Sequence, residues 1–469
     1  MSYPSRALSG VSFAAAAVLG LLLASPAAAD ELSIRPGIEL FEEFSTNPTR
    51  VRDRDLSDSA FALRYKPNLE IETRGQTGFN RLRLGVNGRQ YHDSKYENRD
   101  ANDRFANFDF RRSVTSRLSF YGTTGYYLNE DVDAILVETD GAVSDSGPIL
   151  LNSDRPDIET LSGQFGFEYA LNSRSAINIA AFIYDFDYDL ASLTEDPFNR
   201  FSQRRDFTSN LISATYTQAL SPRDTVFVQL SYRNTDFDGS FRLDDAILPD
   251  PAPDATPEQL AARQLPLSPE QEDRQISAIL GWSRNWSPTL TTSVNGGTRQ
   301  LQSDRDGFIQ PFNIIFFGVP QTQFNIIAPD DGKSASFTGA ASLVKTTRKG
   351  RLELFASRET RPSSGVSASV DETSYGFRYD HRLSGRVSAT IGARNEFREA
   401  ANESGFDDTA RIHRYDASLR WRVRERWVAF VSGTSTDSNA DNLFFSSYSD
   451  KRVSFGFQYA FGVDELSPF

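Results

Sequence analysis

The sequence predicts an all-β chain closed into a single antiparallel transmembrane β-barrel of about 18 strands, with 16 as the smaller alternative. Three observations predict it. Apolar and polar residues alternate, segment after segment, over stretches of about ten residues. The links between these segments are alternately short and long. The first 29 residues read as an export signal.

The export signal is read from its parts. Arg6 gives a positive start, and Ala7 to Ala24 is apolar or small. Ser25-Pro26 breaks the run, and Ala27-Ala28-Ala29 supplies a small-residue cleavage site. The apolar core is too short to span a bilayer as a helix. The expected division is therefore 1–29 signal peptide and 30–469 barrel, with the mature chain starting at Asp30. The chain has no Cys, which excludes disulfides, thiol catalysis and a lipid anchor on a cysteine. Mean hydropathy is -0.45 although aromatics make up 12% of residues. That balance suits a barrel with a wet interior and an apolar exterior, and suits a soluble β-protein equally well.

The period of two favours the barrel. Leu82, Leu84 and Val86 alternate with Arg81, Arg83 and Asn87; Tyr375, Phe377 and Tyr379 alternate with Arg378 and Asp380. Tyr415, Ala417, Leu419, Trp421 and Val423 alternate with Arg414, Asp416, Ser418, Arg420 and Arg422. Faces so rich in Arg cannot form the dry core of a sandwich, but they can line a water-filled lumen. Eight short polar turns follow: 73–76, 115–116, 172–174, 221–223, 287–288, 348–350, 384–386 and 424–426. Between them lie nine longer links, near 45–55, 93–103, 129–157, 190–205, 240–273, 304–333, 362–370, 400–410 and 440–450. The outer-membrane pattern puts the short turns and both termini in the periplasm and the long links outside.

Inward parity selects the candidate lumen residues: Arg83, Arg378, Arg394, Arg420 and Arg422, with Glu168, Glu353, Asp380, Glu396 and Asp416. Acids exceed bases by seven in 129–157, six in 240–273, two in 304–333 and three in 400–410, whereas the whole chain carries -13. The long links are therefore acidic and the remainder is mildly basic. Acidic outer loops serve solvation, or form a site for divalent cations or a screen at the pore mouth, though no loop shows the spacing of a calcium motif. Two links stand apart. Residues 249–273 are rich in Pro and Ala, and Thr256 to Gln264 reads as a short capped helix. Residues 307–329 carry Phe308, Phe312, Ile314, Phe316, Phe324 and Ile326, too apolar for free exposure. They extend two strands, fold into the lumen or face a partner.

Other chemistries find little support. No His pair has metal-ligand spacing, no Gly-rich phosphate loop is present, and no cofactor or metal is expected. His92, His381 and His413 fall on the outward face or the rim. The enzymatic alternative is an outer-membrane lipid hydrolase, in which folding back through 424–426 brings His413 near Ser435, Asp437 and Ser438. Acidic outer loops would repel nucleic acid.

The order of Ile34-Arg35-Pro36-Gly37-Ile38-Glu39-Leu40, Tyr65-Lys66-Pro67-Asn68-Leu69-Glu70, Leu82-Arg83-Leu84-Gly85-Val86, Gln90-Tyr91 and the closing Val453 to Phe461 resembles the putative β-barrel porin 2 family of Gram-negative outer-membrane proteins. The resemblance implies a barrel often linked to exopolysaccharide export, and it carries over no catalytic or binding residue. Expected partners are outer-membrane lipid and lipopolysaccharide, the barrel-assembly machinery, a polysaccharide and a periplasmic export protein. The assembly signal falls on Tyr459 with Phe461 or Phe469 as the terminal aromatic. The expected function is a channel for polysaccharide export or small polar solutes. The alternatives are the hydrolase above and a closed barrel whose loops bind a surface partner.

Overall fold

The computed structural model describes residues 31–47, 59–95, 100–129, 157–189, 206–237, 270–306, 308–316, 319–327, 330–363, 368–400, 409–440 and 448–460. The expected signal peptide, the helix at 256–264, Phe461 and Phe469 lie outside these residues. The strands are β1 (Glu31–Ser45), β2 (Ala60–Gly75), β3 (Gly78–Tyr91), β4 (Ala101–Ser113), β5 (Leu118–Asn129), β6 (Asp157–Asn172) and β7 (Ser175–Asp189). Then follow β8 (Phe207–Ala219), β9 (Asp224–Phe237), β10 (Gln271–Ser287), β11 (Leu290–Arg305), β12 (Phe308–Phe316) and β13 (Val319–Ile327). The chain continues through β14 (Asp330–Thr346), β15 (Gly350–Ser363), β16 (Ala368–Arg382), β17 (Val387–Ala400), β18 (Thr409–Arg424), β19 (Trp427–Ala440) and β20 (Tyr448–Ala460).

Eighteen of these form one sheet, with β12 and β13 apart. Each strand pairs antiparallel with its neighbour, and β1 closes the ring by pairing with both β2 and β20. The chain is an all-β, closed 18-strand antiparallel barrel. Closure is the physical solution to a hydrocarbon environment, because an open edge would leave backbone N–H and C=O groups unsatisfied. Carrying the cross-strand partners once round the ring returns to β1 roughly 22 residues from the start. That stagger tilts 18 strands by roughly 40° and gives a backbone ring roughly 35 Å across, wide enough for an aqueous channel.

Direct cross-strand partners point to the same side, so one exposed face propagates round the ring. It passes through Leu40, Leu84, Phe165, Ile183, Ile212, Leu230, Leu280, Phe337, Leu354, Phe377, Leu419 and Phe455, all exposed apolar side chains. This is the lipid-facing surface. All four Trp (Trp282, Trp286, Trp421 and Trp427) lie on it beside the short turns, where amphipathic rings mark the membrane interface. The Trp427 and Tyr459 rings are 4.8 Å apart, which anchors β20 at this girdle. Several cross-strand pairs set a Phe or Tyr opposite glycine, for example Phe227 opposite Gly281 and Tyr65 opposite Gly88. A Cβ at Gly281 would lie 2.2 Å from the Phe227 ring, so the missing side chain makes room for the aromatic one.

The short turns fold as their sequences suggest. Four of them share one device: the hydroxyl of Thr115, Ser221, Thr347 or Ser384 accepts the backbone N–H groups two and three residues on. Thr115-Ser116-Arg117, Ser221-Pro222-Arg223, Thr347-Arg348-Lys349 and Ser384-Gly385-Arg386 each also place a basic residue at that rim. The apolar stretch 307–329 takes the first of its three expected courses. Phe308 pairs with Ile327 in the register already set by Arg305 with Asp330, so β12 and β13 continue β11 and β14 as a hairpin.

Two predictions test this arrangement. Cysteine at Asp93, in an exposed position on the long-link rim, should react with an impermeant maleimide on intact cells. Cysteine at Gly385, where the Cβ position is open, should react only after the outer membrane is breached. The reverse labelling would invert the barrel. Leu419→Arg should cost about 2–4 kcal/mol in urea unfolding if it sits at the bilayer midplane, and less toward the interface. Ser418→Arg, facing the lumen, should be much milder; equal losses would mean the strand parity is wrong.

Candidate functional site

The lumen is built from the other parity, and it has two unlike sectors. Around β1–β4 and β16–β20 the inward side chains are charged and interlocked. Arg64 lies 3.0 Å from Glu43, Arg35 3.2 Å from Glu70, and Arg81 3.2 Å from Asp109. On β16 and β17, Glu372 is nearly excluded from solvent and meets Arg394 at 3.2 Å and Arg398 at 3.3 Å. Around β8–β11 and β14 the inward side chains are mostly hydroxyls and amides, among them Ser213, Thr215, Gln229, Ser277, Ser293 and Ser342. Below the long-link rim this neutral wall carries only three inward charges among the described residues: Arg233, Asp273 and Arg299.

Those three charges meet a segment that leaves the wall. The β14–β15 ladder stops at Gly339 with Arg358, although β14 starts at Asp330 and β15 runs to Ser363. Above that point the β15–β16 hairpin leans across the lumen side of β9, β10 and β11. Arg233 Nη1 donates to the Thr360 carbonyl at 3.0 Å. The Ser369 N–H donates to Asp273 Oδ2 at 3.1 Å. Arg299 Nη2 lies 2.8 Å from Asp371 Oδ1, and Arg299 is only 1% exposed. Gln271 and Ser303 both donate to Asp273 Oδ1, so both carboxylate oxygens are used. Arg358, Thr360, Ser369 and Asp371 stand on the parity that, lower on the same strands, belongs to lipid-facing Leu354, Tyr375 and Phe377. The stretch 362–370, expected as an ordinary outer link, thus includes the end of an inward hairpin. A desolvated, polar contact replaces lipid contact there, and it narrows the long-link end of the lumen.

The residues expected in the lumen all lie on inward parity. Arg394 and Glu396 are 2.7 Å apart, and Glu396 also meets Arg398 at 2.8 Å. Arg378 meets Asp380 at 3.3 Å, and Thr390 donates to the same carboxylate. Arg83 lies 3.3 Å from Glu70, Glu168 3.1 Å from Arg111, and Glu353 3.1 Å from Arg351. The Asp416 carboxylate fills the space that a side chain at Gly392 would need. Arg420 and Arg422 stand on β18 near the short-turn rim, the former exposed and the latter half-buried. The ten do not converge on one spot; eight are spread through the charged sector, while Glu168 on β6 and Glu353 on β15 lie outside it.

Residues 31–247 match the family described as Putative beta-barrel porin 2. That span takes in β1 to β9. The closing Val453 to Phe461 lies beyond the matched span. The porin family and the closed 18-strand barrel place the chain in the outer membrane. No curated protein sequence matches. Among solved structures, the ferric yersiniabactin uptake receptor FyuA from Yersinia pestis is 9% identical with a TM-score of 0.41, covering 89% of this chain and 65% of that one. The ferric citrate transporter FecA is 13% identical with a TM-score of 0.45, covering 89% and 63%. The FrpB iron transporter from Neisseria meningitidis is 10% identical with a TM-score of 0.45, covering 88% and 64%. The chain thus spans less than two thirds of the length of these receptors, and likeness at this level brings no substrate with it.

The inward course of β15 and β16 was not anticipated, yet a sequence signal exists. Polar residues at Arg358, Thr360, Ser369 and Asp371 interrupt an otherwise apolar outward face. The three His fall outside the lumen. His92 Nε2 lies 2.9 Å from Glu42, and the Tyr379 hydroxyl is 2.8 Å from His381 Nδ1. His413 sits directly across from Asp437, but its Nδ1 is held by Asn395 Oδ1 at 2.5 Å. A further prediction concerns Glu372, buried between two guanidinium groups. Glu372→Ala should cost about 3 kcal/mol in urea unfolding by leaving Arg398 short of a buried partner. Glu372→Gln should lose less, and equal stability of Glu372→Ala and the parent would mean that solvent reaches these groups.

Proposed function

We propose that this outer-membrane barrel is a water-filled channel for polar, hydroxyl-rich solutes, with export of a polysaccharide chain as its most specialised form. One observation carries the reading: a charged sector rich in Arg faces a sector of Ser, Thr, Asn and Gln across an 18-strand lumen. Hydroxyls and amides exchange hydrogen bonds with sugar hydroxyls at little net cost, because each bond to water is replaced by a similar one. Arg and carboxylate groups on the opposite wall hydrogen-bond hydroxyls more strongly, and they set a transverse field that orders water and ions. A family described as a porin supports a channel over a hydrolase. So does the pairing of His413 with Asn395 in place of an acid.

On this reading Arg420 and Arg422 set part of the ion preference near the periplasmic mouth. Arg420→Glu together with Arg422→Glu should shift the reversal potential in planar bilayers toward cation selectivity, by an amount that shrinks as salt rises. Proteoliposomes should swell in solutions of small sugars. A purified, heat-modifiable barrel that neither conducts nor admits sugars would rule out the open channel.

A further inference from the structure

A strong net charge gathers at the short-turn end of β15 to β18. Residues 348–353, 378–386 and 420–426 hold ten Arg or Lys against three acids. The three turns stand side by side: the Arg382 N–H donates to the Lys349 carbonyl, and the Arg422 N–H donates to the Arg386 carbonyl. Glu353 lies 3.1 Å from Arg351 and Asp380 3.3 Å from Arg378, which leaves Glu425 as the third carboxylate among the other eight cations. The turns at 220–223 and 288–289 carry one base between them, Arg223. The surplus of acid in the sequence falls in the long links, at the other end of the strands.

Parity divides this group between wall and rim. Arg351, Arg378, Arg382, Arg420 and Arg422 stand on inward parity. Arg348, Lys349, Arg386 and Arg426 are exposed at the turn tips. Hydroxyls are set among the inward guanidinium groups: Ser388 is paired with Arg382 on one side and Arg420 on the other, and Thr390 is paired with Ser418 two residues further in. Neighbouring strands are about 4.8 Å apart, so four of them make a patch on the order of 15 Å wide. Adjacent charges in it lie within about one screening length of each other, roughly 8–10 Å at ordinary salt, and their fields add. The barrel axis, roughly 17 Å from the wall, lies beyond that length. The patch therefore acts on what touches the wall and not on the lumen at large.

We propose that this wall binds an acidic, hydroxyl-rich solute, a sugar chain bearing carboxylates, where it enters the lumen. The assignment rests on the channel reading and names its substrate class. A guanidinium fork holds a carboxylate through two parallel hydrogen bonds and keeps its charge at any working pH. Ser388, Thr390 and Ser418 exchange hydrogen bonds with sugar hydroxyls between those anchors. Each exposed ion pair is weak, so a single acid is held briefly, whereas a chain that meets several cations at once is held longer. An acidic protein docking from outside would meet the turn tips alone. The inward five, with hydroxyls between them, fit a solute that passes up the wall.

The probes are hexagalacturonate, maltohexaose and a hexaglutamate peptide, each added to one side of a planar bilayer that holds the barrel. The chain has no cysteine of its own, so a bulky maleimide on Gly385→Cys identifies the short-turn side in a reference channel. At about 0.1 M salt, hexagalacturonate should interrupt the current from that side at a concentration about tenfold or more below that of maltohexaose. At about 1 M salt, where screening shortens to about 3 Å, the preference should vanish. Arg386→Gln with Arg420→Gln, both at exposed positions, should lose most of it, whereas Arg223→Gln should behave like the parent. Equal interruption by the acidic and the neutral sugar in a conducting barrel overturns the site and leaves the channel standing. An unchanged preference in the double variant overturns it likewise. Interruption by hexaglutamate as strong as by hexagalacturonate shows a site that reads charge alone, and overturns the sugar assignment. Should the barrel not conduct, calorimetry in detergent decides: hexagalacturonate binding that the double variant loses keeps the site while the channel falls, and absence of binding removes both.

Discussion

The structure depends on one constraint: in hydrocarbon every backbone N–H and C=O must find a partner within the protein. A single sheet meets it only by closing on itself, and closure binds every other feature. Once β1 pairs with β20, an outward residue on one strand must face an outward residue on the next, all the way round. The pairing of Leu40 with Phe457 completes a circuit whose exposed outward face is mostly apolar. A slip of one residue at any ladder would invert a strand and send its Arg face into lipid. Glycines opposite aromatic rings and hydroxyl-capped turns are local means to hold that register.

The widest departure from the constraint among the described ladders lies between β14 and β15 above Gly339. The departure lies toward the long-link end, where water can satisfy a strand edge. It also coincides with the only inward charges of the neutral wall below the rim. Arg233, Asp273 and Arg299 would be costly beside Ser and Thr with nothing to meet them. They become affordable because Thr360, Ser369 and Asp371 come across to them. The neutral wall and the inward hairpin are two halves of one arrangement.

Much of this was legible from the residues. The period of two gives the strands, the parity of Leu419 against Ser418 gives the faces, and Ser-Pro-Arg or Ser-Gly-Arg turns give the hairpin ends. The strand count follows because the alternation of link lengths is a global pattern that survives errors of a few residues. The inward hairpin was hidden for a physical reason. Arg358 to Ser363 is as good a strand as any other, and periodicity reports local extension, not which wall a strand lies against. The polar outward positions at Arg358 and Asp371 were the available sign, but they read equally well as emergence from the membrane. The segment 307–329 was ambiguous in the opposite way. Its apolar content fitted lipid, lumen or partner, and only the shared register of Arg305–Asp330 with Phe308–Ile327 decided for extension.

The division of the lumen also bears on why a hairpin is needed at all. Eighteen tilted strands enclose more space than inward side chains can fill, so such a barrel is open by default. Selectivity must then come from a narrowed zone, because charges that face one another across a wide aqueous gap are screened within about 8–10 Å at ordinary salt. The Arg-rich sector alone would leave the opposite wall outside its reach. On the channel reading, bringing the end of β15 inward shortens the gap that Glu359 and Arg361 must act across. On that reading the charged sector and the constriction would then act together on one solute, which neither would achieve alone.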